Sequence, residues 1–217
     1  RDAMDFAAGH LRGAINVGLG GRFAEYSGDV ITADREIVLF TDPGTELEAK
    51  VRLGRIGFDR VVGYVDEPQR QLAEHPDEVE QASRLPAGAV DDAKVAVEGL
   101  QIIDVRNESE HRLGTVPGAV NVPLAALVRR AGELDPNAPT IVFCAGGYRS
   151  SIAASYLRSI GFREVSDVLG GYGAYAAFMA RNGGSASFDQ LWLALASGVG
   201  FAVLMAAIVF TQRAMKR

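Results

Sequence analysis

Short apolar runs alternate with helical spacings through the second half of the chain. Leu100-Gln101-Ile102-Ile103-Asp104-Val105 is apolar and ends in a charge, which predicts a buried strand. Glu108 to Arg112 suits a helical turn, and Ala119-Val120-Asn121-Val122 reads as another extended piece. Leu124 to Ala131 has helical spacing, and Thr140 to Cys144 is rich in β-branched residues. Ser150 to Ile160 predicts a helix with Ser155 and Arg158 available to face outward. Val165 to Leu169 predicts a last strand and Ala174 to Ala180 a last helix. This alternation argues for an α/β fold with a parallel sheet covered on both faces. Ligands in such sheets sit beyond the carboxyl ends of the strands, which is where Cys144 falls.

The pattern occurs twice. Ala8-Gly9-His10-Leu11-Arg12-Gly13-Ala14-Ile15-Asn16-Val17 resembles Leu113-Gly114-Thr115-Val116-Pro117-Gly118-Ala119-Val120-Asn121-Val122, and Ile37-Val38-Leu39-Phe40 resembles Ile141-Val142-Phe143-Cys144. Leu53 to Phe58 resembles Leu157 to Phe162, and the offset stays at 104 to 105 throughout. Arg1 lines up with Arg106, so the first copy is expected to lack its opening strand and the chain to be a fragment. The expected organisation is a first copy over residues 1–65, a Glu-, Gln- and Pro-rich linker over 66–84 with one short helix, and a complete second copy over 85–182.

The C-terminal stretch departs from this alternation. Leu191 to Phe210 carries no charge, and about twenty residues make roughly 30 Å of helix, enough to cross a bilayer. A transmembrane helix over 188–212 is expected, anchored by Trp192 and followed by the basic Arg213, Lys216 and Arg217. The protein is then single-pass, contacting the membrane through 191–210. The basic tail and the need for reducing partners pull the topology in opposite directions, and the expectation is a catalytic part facing the cytoplasm. The net charge of −5 gives no basic surface for nucleic acid. A single cysteine forbids an internal disulfide. His10, His75 and His111 are scattered without ligand spacing, so neither a metal site nor a cofactor is expected in this stretch.

The chemistry concentrates at Cys144-Ala145-Gly146-Gly147-Tyr148-Arg149, between a strand and a helix. The helix start presents free N–H groups, the two glycines let the backbone curl, and Arg149 adds positive charge. Together these favour an anionic sulfur and an anion cradle, with Cys144 as nucleophile and Ala145 to Arg149 binding substrate. Asp104, Arg106 and Glu110 read as a charge network supporting the loop rather than as acid–base catalysts. Tyr148 fits either a gate or a rim, and Gly170, Gly171 and Gly173 read as turn residues.

On these motifs the second copy resembles a rhodanese domain. The likeness covers Ile103 to Arg106, Glu110, Gly114 to Pro123, the cysteine loop and Leu169-Gly170-Gly171-Tyr172, spanning about residues 85–180. It implies sulfurtransfer: Cys144 takes sulfane sulfur from thiosulfate or a persulfide, and a thiol or cyanide-type acceptor removes it. Thr115 stands where many members have His. The tandem, through Gly9 to Gly21, also resembles the rhodanese pair fused behind metallo-β-lactamase-fold persulfide dioxygenases, which implies an upstream dioxygenase. The first copy has Phe40 or Thr41 at the cysteine position, with Asp42 and Glu46 nearby, and is expected to be structural or a docking module. A cysteine phosphatase or arsenate reductase is the enzymatic rival. Phosphatase loops place Arg after five residues, whereas Arg149 follows Cys144 after Ala145, Gly146, Gly147 and Tyr148, and Ser150 holds the phosphatase arginine position. A membrane-tethered docking or regulatory module is the non-enzymatic rival.

Overall fold

A computed structural model describes residues 1–182. The expected membrane helix over 188–212 lies outside these residues; no helix among the described residues is long and apolar enough to cross a membrane. In chain order the elements of the first half are α1 (Ala3–Ala8), β1 (His10–Leu11), α2 (Phe23–Val30), β2 (Ile37–Leu39), α3 (Glu46–Gly54), β3 (Val61–Tyr64), α4 (Pro68–Glu74) and β4 (Val79–Glu80). The second half follows with β5 (Ser83–Leu85), α5 (Ala89–Ala96), β6 (Gln101–Asp104), α6 (Glu108–Arg112), β7 (Val120–Asn121) and α7 (Leu124–Arg130). It closes with β8 (Thr140–Phe143), α8 (Tyr148–Ser159), β9 (Val165–Val168) and α9 (Gly171–Asn182).

The second half is an α/β layer structure around a five-stranded parallel sheet of order β5-β9-β8-β6-β7. Side chains alternate across a strand, so each strand feeds two cores. Ile102, Ile141 and Phe143 face α5 and α9 with Leu85 and Tyr175, while Ile103, Val142 and Cys144 face α7 and α8 with Leu127 and Leu157. Such strands, buried on both faces, read as continuous apolar runs, as β8 does with all four residues buried. The edge strand β5 is pinned to β9 by a buried fork of Arg84 on Asp167 at 2.9 and 3.0 Å and by Ser166 on Ser83 at 2.6 Å.

The stretch read as a linker is largely structured. It holds α4 and β4, which pairs antiparallel with β1, and its last two residues begin β5. Its polarity hid two short strands, the half-buried two-residue β4 and the largely buried three-residue β5. The first half contains the parallel unit β2-α3-β3. Its α2 packs on α7 and α8, so Phe23, Tyr26 and Val30 share one core with Leu124, Leu127 and Ala153. That packing corrects the expectation that Ser155 faces outward. Ser155 is fully buried, and its hydroxyl accepts the Asn16 amide at 2.9 Å. Arg158 is held inward too, donating to the Val165 carbonyl at 3.0 Å. A helix covered on both sides loses the polar face that periodicity looks for.

His10 shows what this burial does to a titratable group. Its ring stacks on Phe6 at 3.8 Å, and Nδ1 donates to the Phe6 carbonyl at 2.9 Å. Burial is the main cause that pushes its pKa down to about 4 from 6.5. The neutral ring is therefore favoured by the fold, and the unfolded chain binds the extra proton between those two values. Stability should fall by roughly 3 kcal/mol as pH drops through that window. Urea midpoints measured across it should show the slope, and His10→Asn, which keeps a donor for Phe6, should flatten it.

Candidate active-site loop

The loop runs from the end of β8 to the start of α8. Gly147 caps α8 with φ +99°, a conformation that favours glycine, and a Cβ there would lie 3.3 Å from the Gly170 amide nitrogen. The turn brings the Gly147 N–H back onto Cys144 Sγ at 3.1 Å. Cys144 is 1% exposed, whereas Ala145 and Gly146 form an exposed rim above it. The nucleophile, its first donor and an open edge are thus within one turn of chain.

The closing glycines do more than turn. Tyr172 N–H donates to the Cys144 carbonyl at 2.6 Å, and Gly173 N–H donates to the Ala145 carbonyl at 3.0 Å. The first amides of α9, which lack partners within their own helix, therefore clamp the loop backbone. Gly171 has φ +56°, and a Cβ there would run into the Cys144 carbonyl oxygen and lie 2.8 Å from the Ala145 carbonyl carbon. Sequence reasoning placed these glycines in a turn and missed the clamp. The available signal was Gly170-Gly171-Tyr172-Gly173 directly after a buried strand.

Arg149 is turned differently from the expectation that aimed it at a bound anion. Its guanidinium forks onto the Glu110 carboxylate at 2.8 Å through both Nη atoms. Glu110 also accepts the Asn107 amide at 3.1 Å, closing a capping box on α6. The pair ties α6 to the cysteine loop. Glu110 raises the pKa of Arg149, and Arg149 holds that of Glu110 low.

The other support residues gather on Asp104, which is fully buried at the end of β6. Its carboxylate accepts Arg106 Nε at 2.9 Å, Arg106 Nη2 at 2.6 Å, His111 Nδ1 at 3.0 Å and Thr115 Oγ1 at 3.0 Å. Arg106 in turn lies 4.2 Å over the Tyr172 ring and donates to the Gly114 carbonyl at 2.7 Å. Asp104 therefore orders the opening of α9 through Arg106 and Tyr172. His111, Thr115 and Tyr172 are members of this network that sequence reasoning did not place there.

Burial pushes the Asp104 pKa up, but hydrogen bonds from Arg106 and His111 outweigh it, so the net shift is downward. The stabilisation from Asp104 is present above about pH 3.9, the unfolded value, and is lost as pH falls through the lower folded value. Asp104→Asn should destabilise the protein by roughly 3 kcal/mol at neutral pH, because Arg106 is left buried without its counter-charge. Denaturant midpoints of both proteins should start to approach each other only below about pH 4 and converge once pH falls below the lowered folded value of Asp104.

Tyr148 is neither a free gate nor a plain rim. Its hydroxyl bonds the carbonyls of Gly18 at 2.6 Å and Gly20 at 3.1 Å, and its ring meets Tyr26 edge-on at 5.4 Å. It lashes the loop to the first half. No cluster of three or more His, Cys, Asp or Glu suited to a metal occurs among the described residues.

The family model of the rhodanese-like domain matches residues 89–178, which include the loop, the Asp104 network and the α9 clamp. The putative sulfur carrier protein YrkF of Bacillus subtilis is 35% identical over 105 residues, 47% of this chain and 56% of that protein. The chain thus spans little more than half of that relative. The thiosulfate sulfurtransferase GlpE of Shewanella oneidensis is 34% identical over 76 residues, 35% of this chain and 75% of that protein. A solution structure of the rhodanese-like domain from an Anabaena protein is 28% identical and covers 45% of this chain and 76% of that one, with a TM-score of 0.41. With 34% identity over an aligned stretch that covers three quarters of GlpE, and the family model laid over residues 89–178 around Cys144, this chain belongs to the rhodanese-like domain family.

Proposed function

We propose that the protein is a sulfurtransferase in which Cys144 carries sulfane sulfur. The observation that supports this best is the Gly147 N–H on Cys144 Sγ at 3.1 Å, inside a loop with an exposed rim. The Cys144 thiolate attacks the outer sulfur of thiosulfate. The new Cys–S–S bond forms as the sulfur–sulfite bond breaks, and sulfite leaves with that electron pair. The resulting persulfide is an anion held among the amides of Ala145 to Arg149 at the start of α8. A thiolate or cyanide then attacks the outer sulfur, and the electron pair of the disulfane bond returns to Cys144. Both steps are nucleophilic displacements at sulfane sulfur, each with its leaving group taking the electron pair, so no external oxidant or reductant enters.

The rival phosphatase chemistry needs a wider ring. Four residues separate Cys144 from Arg149, and Arg149 is engaged by Glu110 rather than open to a phosphate. Incubation with thiosulfate and cyanide should release thiocyanate continuously. Cleavage of aryl phosphates without thiocyanate would favour the phosphatase instead, and neither activity would favour a docking module.

We further propose that residues 1–65 are a second, non-carrying copy. The unit β2-α3-β3 repeats β8-α8-β9 at an offset of 104, with Phe40 at the position of Cys144. The resemblance through Gly9 to Gly21 supports a persulfide dioxygenase as an upstream domain, the uncharged sequence of residues 191–210 supports a membrane anchor, and the need for reducing partners favours a carrier facing the cytoplasm. Protease accessibility in spheroplasts tests that orientation.

A further inference from the structure

The turn at residues 18–21 of the first half is held from two sides. The Tyr148 hydroxyl lies 2.6 Å from the Gly18 carbonyl oxygen and 3.1 Å from that of Gly20. Arg52 on α3 takes the alternate pair: Nη1 donates to the Leu19 carbonyl, and Nη2 donates to the Gly21 carbonyl at 2.8 Å. Four successive carbonyls are thus claimed in alternation by the carrier loop and by α3. Gly20 and Gly21 are exposed, so water could serve their carbonyls as well. Fixed donors there set geometry rather than satisfy buried groups.

Arg52 is itself fixed. Its guanidinium carbon lies 5.2 Å over the ring of buried Phe23, and Nη1 is 3.1 Å from the Glu48 carboxylate one turn back. Ala49 and Leu53 on the same helix are buried in the core shared by both halves. The turn is shaped to Tyr148: a Cβ on Gly18 would lie 3.2 Å from Tyr148 Cε2, and Gly21 has φ +59°. The second half does not repeat this arrangement. At the repeat offset Tyr156 stands in the place of Arg52, and residues 123–126, where α7 begins, stand in the place of the turn.

The link from Arg52 to Cys144 is short. Tyr148 opens α8 directly after Gly147, whose N–H reaches Cys144 Sγ at 3.1 Å. The α9 amides hold the near end of the loop, the carbonyls of Cys144 and Ala145. The far end, where the free N–H groups of α8 begin, is held through the Tyr148 side chain, by its hydroxyl on the turn and its ring against Tyr26. A shift of the turn therefore moves the first amides of α8 relative to the sulfur.

We propose that Arg52 is a positioning residue for the Cys144 loop. It sets the turn at 18–21, the turn sets Tyr148, and Tyr148 sets the first amides of α8. The first half then does more than dock: it fixes the cradle in which the sulfur anion forms. The kinetic part of this inference rests on the sulfurtransferase reading. The cradle acts where charge collects on the transferred sulfur, which is the thiosulfate half-reaction. Cyanide attacks a persulfide already formed, and loosening a cradle that stabilises this ground state does not slow that attack.

The test uses the full chain with Arg52→Met, Arg52→Lys, Tyr148→Phe, and Arg52→Met combined with Tyr148→Phe. Methionine keeps an apolar stem over Phe23 but no donor, whereas lysine keeps a charge and a donor for one carbonyl. Hydrogen exchange at the Gly147 amide should quicken about tenfold in Arg52→Met. The Val122 and Leu124 amides, bonded to the Asp104 and Val105 carbonyls, should not change and serve as controls of folding. Arg52→Lys should recover part of the protection. The double variant should exchange no faster than Tyr148→Phe alone, because both substitutions cut one chain of contacts. In turnover, kcat/KM for thiosulfate should fall about tenfold in Arg52→Met while kcat/KM for cyanide stays within about twofold. Unchanged Gly147 exchange in Arg52→Met or additive effects of the two substitutions would overturn the positioning role. Equal falls in both kcat/KM values would do the same, since a loss of folded protein lowers both alike. Exchange at Gly147 needs no sulfur chemistry, so a parent chain that forms no thiocyanate counts against the sulfurtransferase reading alone.

Discussion

Cys144→Ser should abolish thiocyanate formation, lowering turnover by on the order of a thousandfold or more, while leaving the fold intact. Serine is close to cysteine in size, and the Gly147 N–H at 3.1 Å can serve its oxygen as it serves sulfur. The loop backbone is held independently of the side chain, through the carbonyls of Cys144 and Ala145. The melting temperature should therefore stay within a few degrees of the parent while the chemistry disappears, because a hydroxyl does not form a stable, exchangeable bond to sulfane sulfur. Thiocyanate assays and thermal melts on the same preparation check both halves of this expectation. Retention of turnover in the serine variant would move the chemistry away from Cys144.

Gly171→Ala should be the most damaging small substitution near the loop. Its Cβ would run into the Cys144 carbonyl oxygen, lie 2.8 Å from the Ala145 carbonyl carbon and require a left-handed residue with φ +56°. Both collisions are with backbone, so no side chain can swing aside to relieve them. α9 must back away, breaking the bonds from Tyr172 and Gly173 that fix the loop. A loss of roughly 3 kcal/mol is expected, equivalent to about 6–12 °C in Tm for a chain of this size. Turnover should fall as well, because the Cys144 carbonyl loses its anchor. Gly146→Ala, at an exposed position where a Cβ meets nothing, is the control that should leave stability near the parent value.

Much of the second half was legible in its pattern because its strands are buried on both faces. Ile102-Ile103 and Thr140 to Phe143 give the continuous apolar runs that a parallel sheet requires, and their ends place Cys144 correctly. The elements that escaped reading are those whose stability comes from distant partners. β4 and β5 are short, and they are strands because β1 and β9 lie beside them. α8 carries serines that look like a solvent face, yet α2 covers it. At the site, spacing could name Arg149 and Glu110 but not that each would face the other. The Tyr148 bonds to Gly18 and Gly20 join residues 128 and 130 positions apart, which no local pattern reports.

On the proposed mechanism Cys144 accepts and gives up a sulfur atom. Intact-mass spectrometry of the protein after incubation with thiosulfate and removal of the donor tests it most directly. A single adduct of ~32 Da, the mass of one sulfur, should appear on the intact protein, be absent from Cys144→Ser and vanish on adding cyanide. An unmodified mass under the same conditions, or an adduct that persists through cyanide treatment, would contradict a Cys144 persulfide.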